Sequence, residues 1–201
     1  MTVVSWRDVP GWYNWEEIAA RRAAEAPDGA VFVEVGVFCG KSLLHLLELL
    51  RGKRATVYAI DPWVDDCTEE SLANRGKPEG FITWGGEFAD ECRALGGPFS
   101  AFMHHFLANA TAEDVEKTRI LRAPSDHAIL AVEDVWSVWL DGNHNAEAID
   151  RDIRLWRGHV IPGGWIGGHD YGTEYPGVDA AVRRHFGERR AVGENSWEVR
   201  L

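Results

Sequence analysis

The sequence predicts an α/β protein built on one doubly wound sheet, with a terminal antiparallel strand pair and a helical insertion after the second strand. Three observations lead there. Short β-branched runs alternate with segments of helical period, the pattern of strands and crossover helices around a parallel sheet. Polar residues gather at the carboxyl end of each β run. The last β-rich segments, RRAV and SWEVR, close the chain as a pair.

An opening helix is expected over Asn14 to Ala26, stopped by Pro27-Asp28-Gly29. Strand VFVEV (31–35) follows and enters a glycine-containing turn. The next helix carries leucines at 43, 44, 46, 47, 49 and 50, dense enough to be largely buried. A second strand, TVYAI, runs into Asp61. From Pro62 to about Lys117 the regularity breaks, with short helices expected near Phe88–Leu95 and Phe99–Ala110. That stretch is too long for a simple connection and too short for a domain. It reads either as a cap or lid within a single 1–201 domain, or as a packing or dimerisation element. Strand TRILR, a helix near Asp126–Val132, strand VWSVWL and a helix over Asn145 to Arg157 then restore the alternation. A turn IPGG, strand WIGG, a helix from Val178 to Phe186 and the closing pair complete five βα steps.

With 201 residues, 45% of them hydrophobic, the chain suits one globular domain and is too apolar for disorder. No apolar run approaches the ~18 residues of a membrane span. The opening MTVVSWRDVPGW lacks the basic and apolar regions of a signal peptide, so a cytoplasmic location is expected. Cys39, Cys67 and Cys92 form no close pair, which disfavours a disulfide framework and a cysteine-rich zinc site. The formal charge of −11 repels phosphate backbones and anionic lipid, so neither nucleic acid nor a membrane is an expected partner. A small-molecule acceptor is, and a homo-oligomer is compatible with the sequence.

Ligands of open parallel sheets bind beyond the carboxyl ends of the strands. Those ends hold Glu34, Asp61, Arg122 to Ser125, Asp141 and His169-Asp170. In the first turn, EVGVFCGKS, Gly36 and Gly40 allow a tight turn and close approach to a ligand, and the helix that follows offers free N–H groups. A dinucleotide fingerprint would need glycines where Phe38 and Lys41 stand. A phosphate-cradling loop needs four residues before Gly-Lys-Ser, and only Val37, Phe38 and Cys39 are present. An adenosyl ligand carrying an amino acid fits better, because Asp61 can accept hydrogen bonds from both ribose hydroxyls.

The segments EVGVFCGKS, AIDPW, LRAPSDHA, WLDGNHNAEAIDRDIRLW and IPGGWIGGHDY, in that order, resemble a class I S-adenosylmethionine-dependent methyltransferase with its Rossmann-like sheet. The combination of DGNH before a helix, PGG and HDY is similar to small-molecule O-methyltransferases that act on macrolide sugars. The resemblance covers about Val31 to Phe186. It implies that Glu34, Gly36 and Gly40 lie along the methionine part of the cofactor, with Ser42 near its carboxylate. Asp61 would hold the ribose, and Ser125 with Asp126 would border the adenine. In metal-dependent relatives, carboxylates ending the fourth and fifth strands hold magnesium; the matching positions are Asp141 and Asp170. His144 occupies the place of a proposed base. Some relatives are acidic where this chain has Asn143 and His169.

The chemistry of that trio stands on its own terms. Methyl transfer to a hydroxyl needs the oxygen deprotonated and aligned with the sulfonium carbon. A divalent cation on Asp141 and Asp170 lowers the hydroxyl's pKa, and a histidine with an ordinary pKa of ~6.5 can take the proton. Asp65 and Asp66 are further carboxylate candidates, and Trp63, Phe81, Trp84, Phe99 and Phe102 are candidates for the acceptor pocket. Two rival readings remain at this point. Lys41 and Ser42 could serve a nucleotide-dependent kinase or hydrolase, or the fold could be a non-catalytic binding module. No G-x-S-x-G elbow is present, which argues against a serine hydrolase.

Overall fold

A computed structural model describes residues 5–63, 87–172, 174–188 and 192–201. Six strands form one sheet: β1 (Ala30–Val35), β2 (Ala55–Ile60), β3 (Thr118–Leu121), β4 (Val135–Leu140), β5 (Val160–Gly168) and β6 (Trp197–Arg200). Their order is β3-β2-β1-β4-β5-β6, parallel except for β6, which runs antiparallel to β5. The strand order reverses between β1 and β4, so the topological switch point lies where these two strands end.

Helices α1 (Glu16–Glu25) and α2 (Lys41–Leu49) cover one face. Leu43, Leu47 and Leu50 are buried there with Phe32, Val57 and Ala59. Between β2 and β3 come α3 (Glu87–Ala94), α4 (Pro98–Asn109) and α5 (Ala112–Lys117). The short α6 (Ser125–Ala128), then α7 (Ala146–Trp156) and α8 (Pro176–Phe186), cover the other face. On α7 the apolar positions Ile149, Ile153 and Trp156 recur at helical spacing and pack with Val138, Leu140 and Ile166 of the sheet.

Several details differ from the sequence expectation. IPGG is not a turn before a strand but part of β5: Val160 pairs with Val135, and Trp165 with Ser137, so residues between them bulge out. Gly163, at φ +84°, makes that bulge, and its N–H bonds to the Leu201 carbonyl. The helix expected over Asp126–Val132 is two short pieces, α6 and a 3-10 turn over Ile129–Ala131. Of the closing pair, SWEVR forms β6, preceded by an isolated bridge between Val192 and Ser196. Trp63 and Phe102 stack at 4.5 Å inside the core instead of lining a pocket, because α4 packs its aromatic face onto α2. Cys67, Asp65, Asp66, Phe81 and Trp84 lie outside the described residues.

Gly36 sets the geometry of the switch point. It has φ +88°, and a Cβ there would overlap the Asp141 carbonyl oxygen. The β1 end and the β4 end are thus in backbone contact, fixed by Asp141 N–H donating to the Val35 carbonyl at 2.8 Å. Gly29 has a similar φ of +80° but nothing within 4 Å of an added Cβ. Gly36→Ala should therefore cost about 3 kcal/mol or more, against about 1 kcal/mol for Gly29→Ala, as measured by urea unfolding. Equal costs would show that backbone conformation alone, and not the close approach, constrains Gly36.

Candidate active site at the strand ends

The first turn is held from two sides. Asp61, immediately after β2, accepts from the Phe38 N–H at 3.0 Å and from the Trp63 N–H at 2.7 Å. Each oxygen takes one backbone donor, and a carboxylate oxygen has capacity for a second. Gly40, at φ +88°, begins α2 against the ring of Phe102. Glu34 is 3% exposed and accepts a hydrogen bond from the Ser42 hydroxyl. Burial pushes its pKa up to about 8; Ser42 pulls it down, while Asp141 and Asp61 add to the rise. Burial also pushes the Cys39 thiol up, which leaves it a poor nucleophile.

After β3, Ser125 opens α6 and is fully engaged. Its hydroxyl oxygen accepts from Trp156 Nε1 at 2.8 Å, and it hydrogen-bonds Asp152. Its neighbour Asp126 is different: Oδ2 lies 3.7 Å from Arg151, and Oδ1 is buried without a hydrogen-bond partner. A buried, unpaired acceptor is costly unless a ligand donor meets it.

The densest chemistry sits past β4 and β5. Asp141 ends β4, and an Asn143-Asn145 cap shapes the next four residues. Asn143 Oδ1 accepts from the Asn145 N–H, and Asn145 Oδ1 accepts from the Glu147 N–H to start α7. This loop swings His144 over the end of β5, where Asp170 holds a positive φ of 60°. His144 Nε2 lies 2.5 Å from Asp170 Oδ2 and 3.5 Å from Asp141 Oδ1. The ring also rests on Tyr175 at 4.8 Å. One ligand atom from each of Asp141, His144 and Asp170 falls within 4.8 Å of the others, a donor set that suits a divalent cation.

Electrostatics here follow from burial opposed by pairing. Burial alone would lower His144, but its bonds to Asp141 and Asp170 prevail and hold it at about 9. Burial would raise Asp170, yet His144 and His169 keep it well below the usual carboxylate range. Asp141 is raised, because its burial outweighs the same two histidines. His169 is also raised: burial opposes, but Asp170 and Asp141 win.

The structure therefore brings Asp141, His144 and Asp170 together, with Glu34, Gly36, Gly40, Ser42 and Asp61 at the adjoining turn. Ser125 and Asp126 stand separately, at the end of β3. Residues ahead of α1 gave no sequence hint of a role. Trp15 stacks on Trp139 and packs at 4.8 Å from the His169 ring, and Asn14 bonds His169 Nε2 at 3.1 Å. Tyr175 was equally unmarked, since its approach to His144 depends on where α8 begins.

The sequence profile of a family described as "Methyltransferase domain" matches residues 33–171. No curated protein sequence is significantly similar to the chain. Among solved structures, the O-methyltransferase NovP superposes with a TM-score of 0.57 at 16% identity, over 92% of this chain and 78% of that one. The calicheamicin methyltransferase CalS11 gives 0.58 at 14% identity, over 92% and 76%. A precorrin-6y C5,15-methyltransferase from Geobacter metallireducens GS-15 gives 0.55 at 8% identity, over 92% and 77%. At such identities the likeness is one of fold. Among the described residues, no helix is long and apolar enough to cross a membrane.

The Glu34 carboxyl supplies a pH test of this geometry. Its folded pKa of about 8 stands above an ordinary 4.5, so the folded chain binds the extra proton between those values. That stabilisation is full below about pH 4.5 and is lost as pH rises through 8. Glu34→Gln should flatten the fall in melting temperature of the cofactor-free chain between about pH 5 and pH 8. A variant with the parent's slope would mean that Glu34 ionises freely.

Proposed function

Since the chain belongs to the methyltransferase domain family, as a class I S-adenosylmethionine-dependent enzyme, we propose that it methylates a hydroxyl of a small molecule, a glycosylated natural product being the favoured class. The observation that carries this is the meeting of Asp141, His144 and Asp170 beside the glycine turn, at the carboxyl ends of β4 and β5. CalS11 is a TDP-rhamnose 3'-O-methyltransferase of calicheamicin biosynthesis, which supports a sugar hydroxyl as the acceptor. The charge of −11 disfavours a nucleic-acid acceptor.

In this reading the cofactor lies over Gly36 and Gly40, where absent side chains leave the backbone open to it. Its amino group faces Glu34, whose raised pKa marks a carboxyl with no cationic partner of its own. Ser42 stands near its carboxylate. Asp61 keeps acceptor capacity for the ribose hydroxyls while its two backbone bonds hold the carboxylate still. Asp126 offers its unpaired oxygen to the adenine amino group, and Ser125 borders the ring while its hydroxyl stays in the Trp156–Asp152 network.

Transfer is an in-line displacement: the acceptor oxygen attacks the sulfonium methyl, and S-adenosylhomocysteine leaves. His144 Nε2 receives the hydroxyl proton, positioned by the Asn143–Asn145 cap and by Asp170. Asp141 and Asp170 would hold a divalent cation, magnesium in the simplest form. When bound, that ion lowers the hydroxyl's pKa, orients it and offsets the negative charge that otherwise keeps His144 protonated.

Two substitutions separate binding from chemistry. Asp61→Ala should weaken S-adenosylhomocysteine binding about tenfold or more in calorimetry, the loss of two charge-assisted hydrogen bonds; unchanged affinity would remove Asp61 from the site. His144→Ala should reduce transfer of labelled methyl to a panel of glycosides about a hundredfold while cofactor affinity stays within a factor of two. Full activity of that variant would rule out His144 as the base.

A further inference from the structure

The carboxylate pair has a second histidine beside it, and the hydrogen bonds around that ring determine which nitrogen carries its proton. Asn14 Nδ2 donates to Asn195 Oδ1 at 3.0 Å and to Glu194 Oε2 at 3.4 Å. A carboxylate oxygen can only accept, so that end of the Asn14 amide is the NH2 and the other end is its carbonyl. The carbonyl oxygen Oδ1 is therefore what meets His169 Nε2 at 3.1 Å, and Nε2 must be the protonated, donating nitrogen.

That leaves Nδ1 turned inward. It lies 3.1 Å from Asp170 Oδ1 and 3.8 Å from Asp141 Oδ1. A bare lone pair facing two carboxylate oxygens is repulsive, so something positive belongs between them, either a second ring proton or a metal ion. The ring has little freedom to turn away, since it is 9% exposed and packed against Trp15. An imidazole whose far N–H donates to a fixed oxygen, leaving its near nitrogen on a carboxylate pair, has the arrangement of a metal-ligating histidine with its outer partner.

We infer that His169 Nδ1 is the third protein ligand of the cation held by Asp141 and Asp170, and that Asn14 is the positioning residue that fixes its tautomer. The inference rests on the reading of those two aspartates as cation ligands. It also changes the expected ion. Carboxylates and water suit magnesium, whereas an added imidazole nitrogen favours manganese or another first-row transition metal. His144 keeps its role as base, because its contacts with the pair come through Nε2 from the opposite loop. The N-terminal segment, outside the matched family region of 33–171, thereby becomes part of the metal site.

Manganese is the probe, because its binding can be read without any methyl acceptor. Free Mn2+ counted by electron paramagnetic resonance gives the affinity, and electron spin echo modulation reports directly bound nitrogen. The full chain should bind one Mn2+ with a nitrogen coupling that vanishes in His169→Gln and persists in His144→Ala. Asn14→Ala should weaken Mn2+ about tenfold, and Asn14→Asp, which still accepts from Nε2–H, should restore most of that loss. Asn14 lies outside the sheet, so its variants keep the test alive if His169→Gln fails to fold. Three results would overturn the inference: a manganese signal without nitrogen coupling, a coupling lost in His144→Ala instead, or Asn14→Ala binding as tightly as the parent. Absence of Mn2+ binding would overturn the aspartate reading as well, while S-adenosylhomocysteine binding, measured alongside, judges the cofactor site separately.

Discussion

The contact between the glycine turn and the end of β4 is the constraint on which the site depends. Because Gly36 has no side chain, the backbone leaving β1 can lie against the Asp141 carbonyl. That contact brings two otherwise separate groups to one place: the turn that follows β1, braced by Asp61, and the carboxylates that follow β4 and β5. A parallel sheet puts strand ends on one edge as a matter of topology. How closely adjacent ends approach is a local matter, settled here by one residue without a Cβ and by the Asp141–Val35 backbone bond.

The second organising feature is electrostatic. Glu34, Asp61, Asp141 and Asp170 crowd one sheet edge of an already acidic chain, and burial makes their charges costly. The structure answers differently at each position. Asp61 takes two backbone N–H groups, Glu34 takes a hydroxyl and rises to a pKa of about 8, and Asp170 is flanked by two histidines. Only the last arrangement places cationic groups beside carboxylates. A site that holds this much negative charge on a rigid edge is suited to a ligand that is itself cationic, such as a sulfonium or a divalent metal.

Much of this was legible in the sequence. The strand order and the two helical layers follow from alternating β-branched and leucine-rich runs, and the ends of β1, β2, β4 and β5 were marked by Glu34, Asp61, Asp141 and Asp170. What escaped was set by geometry that no local pattern encodes. IPGG reads as a turn because Pro and Gly punctuate chains, yet pairing with Leu201 and Val135 draws it into β5 as a bulge. Trp63 and Phe102 read as pocket aromatics, but the packing of α4 on α2 buries them. Asn14 and Trp15 precede the first helix with no motif around them, and reach His169 only because the sheet carries its edge back to them.

The measurement that tests the central claim most directly is calorimetric titration of the full chain with S-adenosylhomocysteine, with ATP–magnesium as the comparison ligand. Binding of S-adenosylhomocysteine in the micromolar range and no heat from ATP are the predicted results. Binding of ATP that depends on Lys41, or no binding of S-adenosylhomocysteine at all, would contradict the claim.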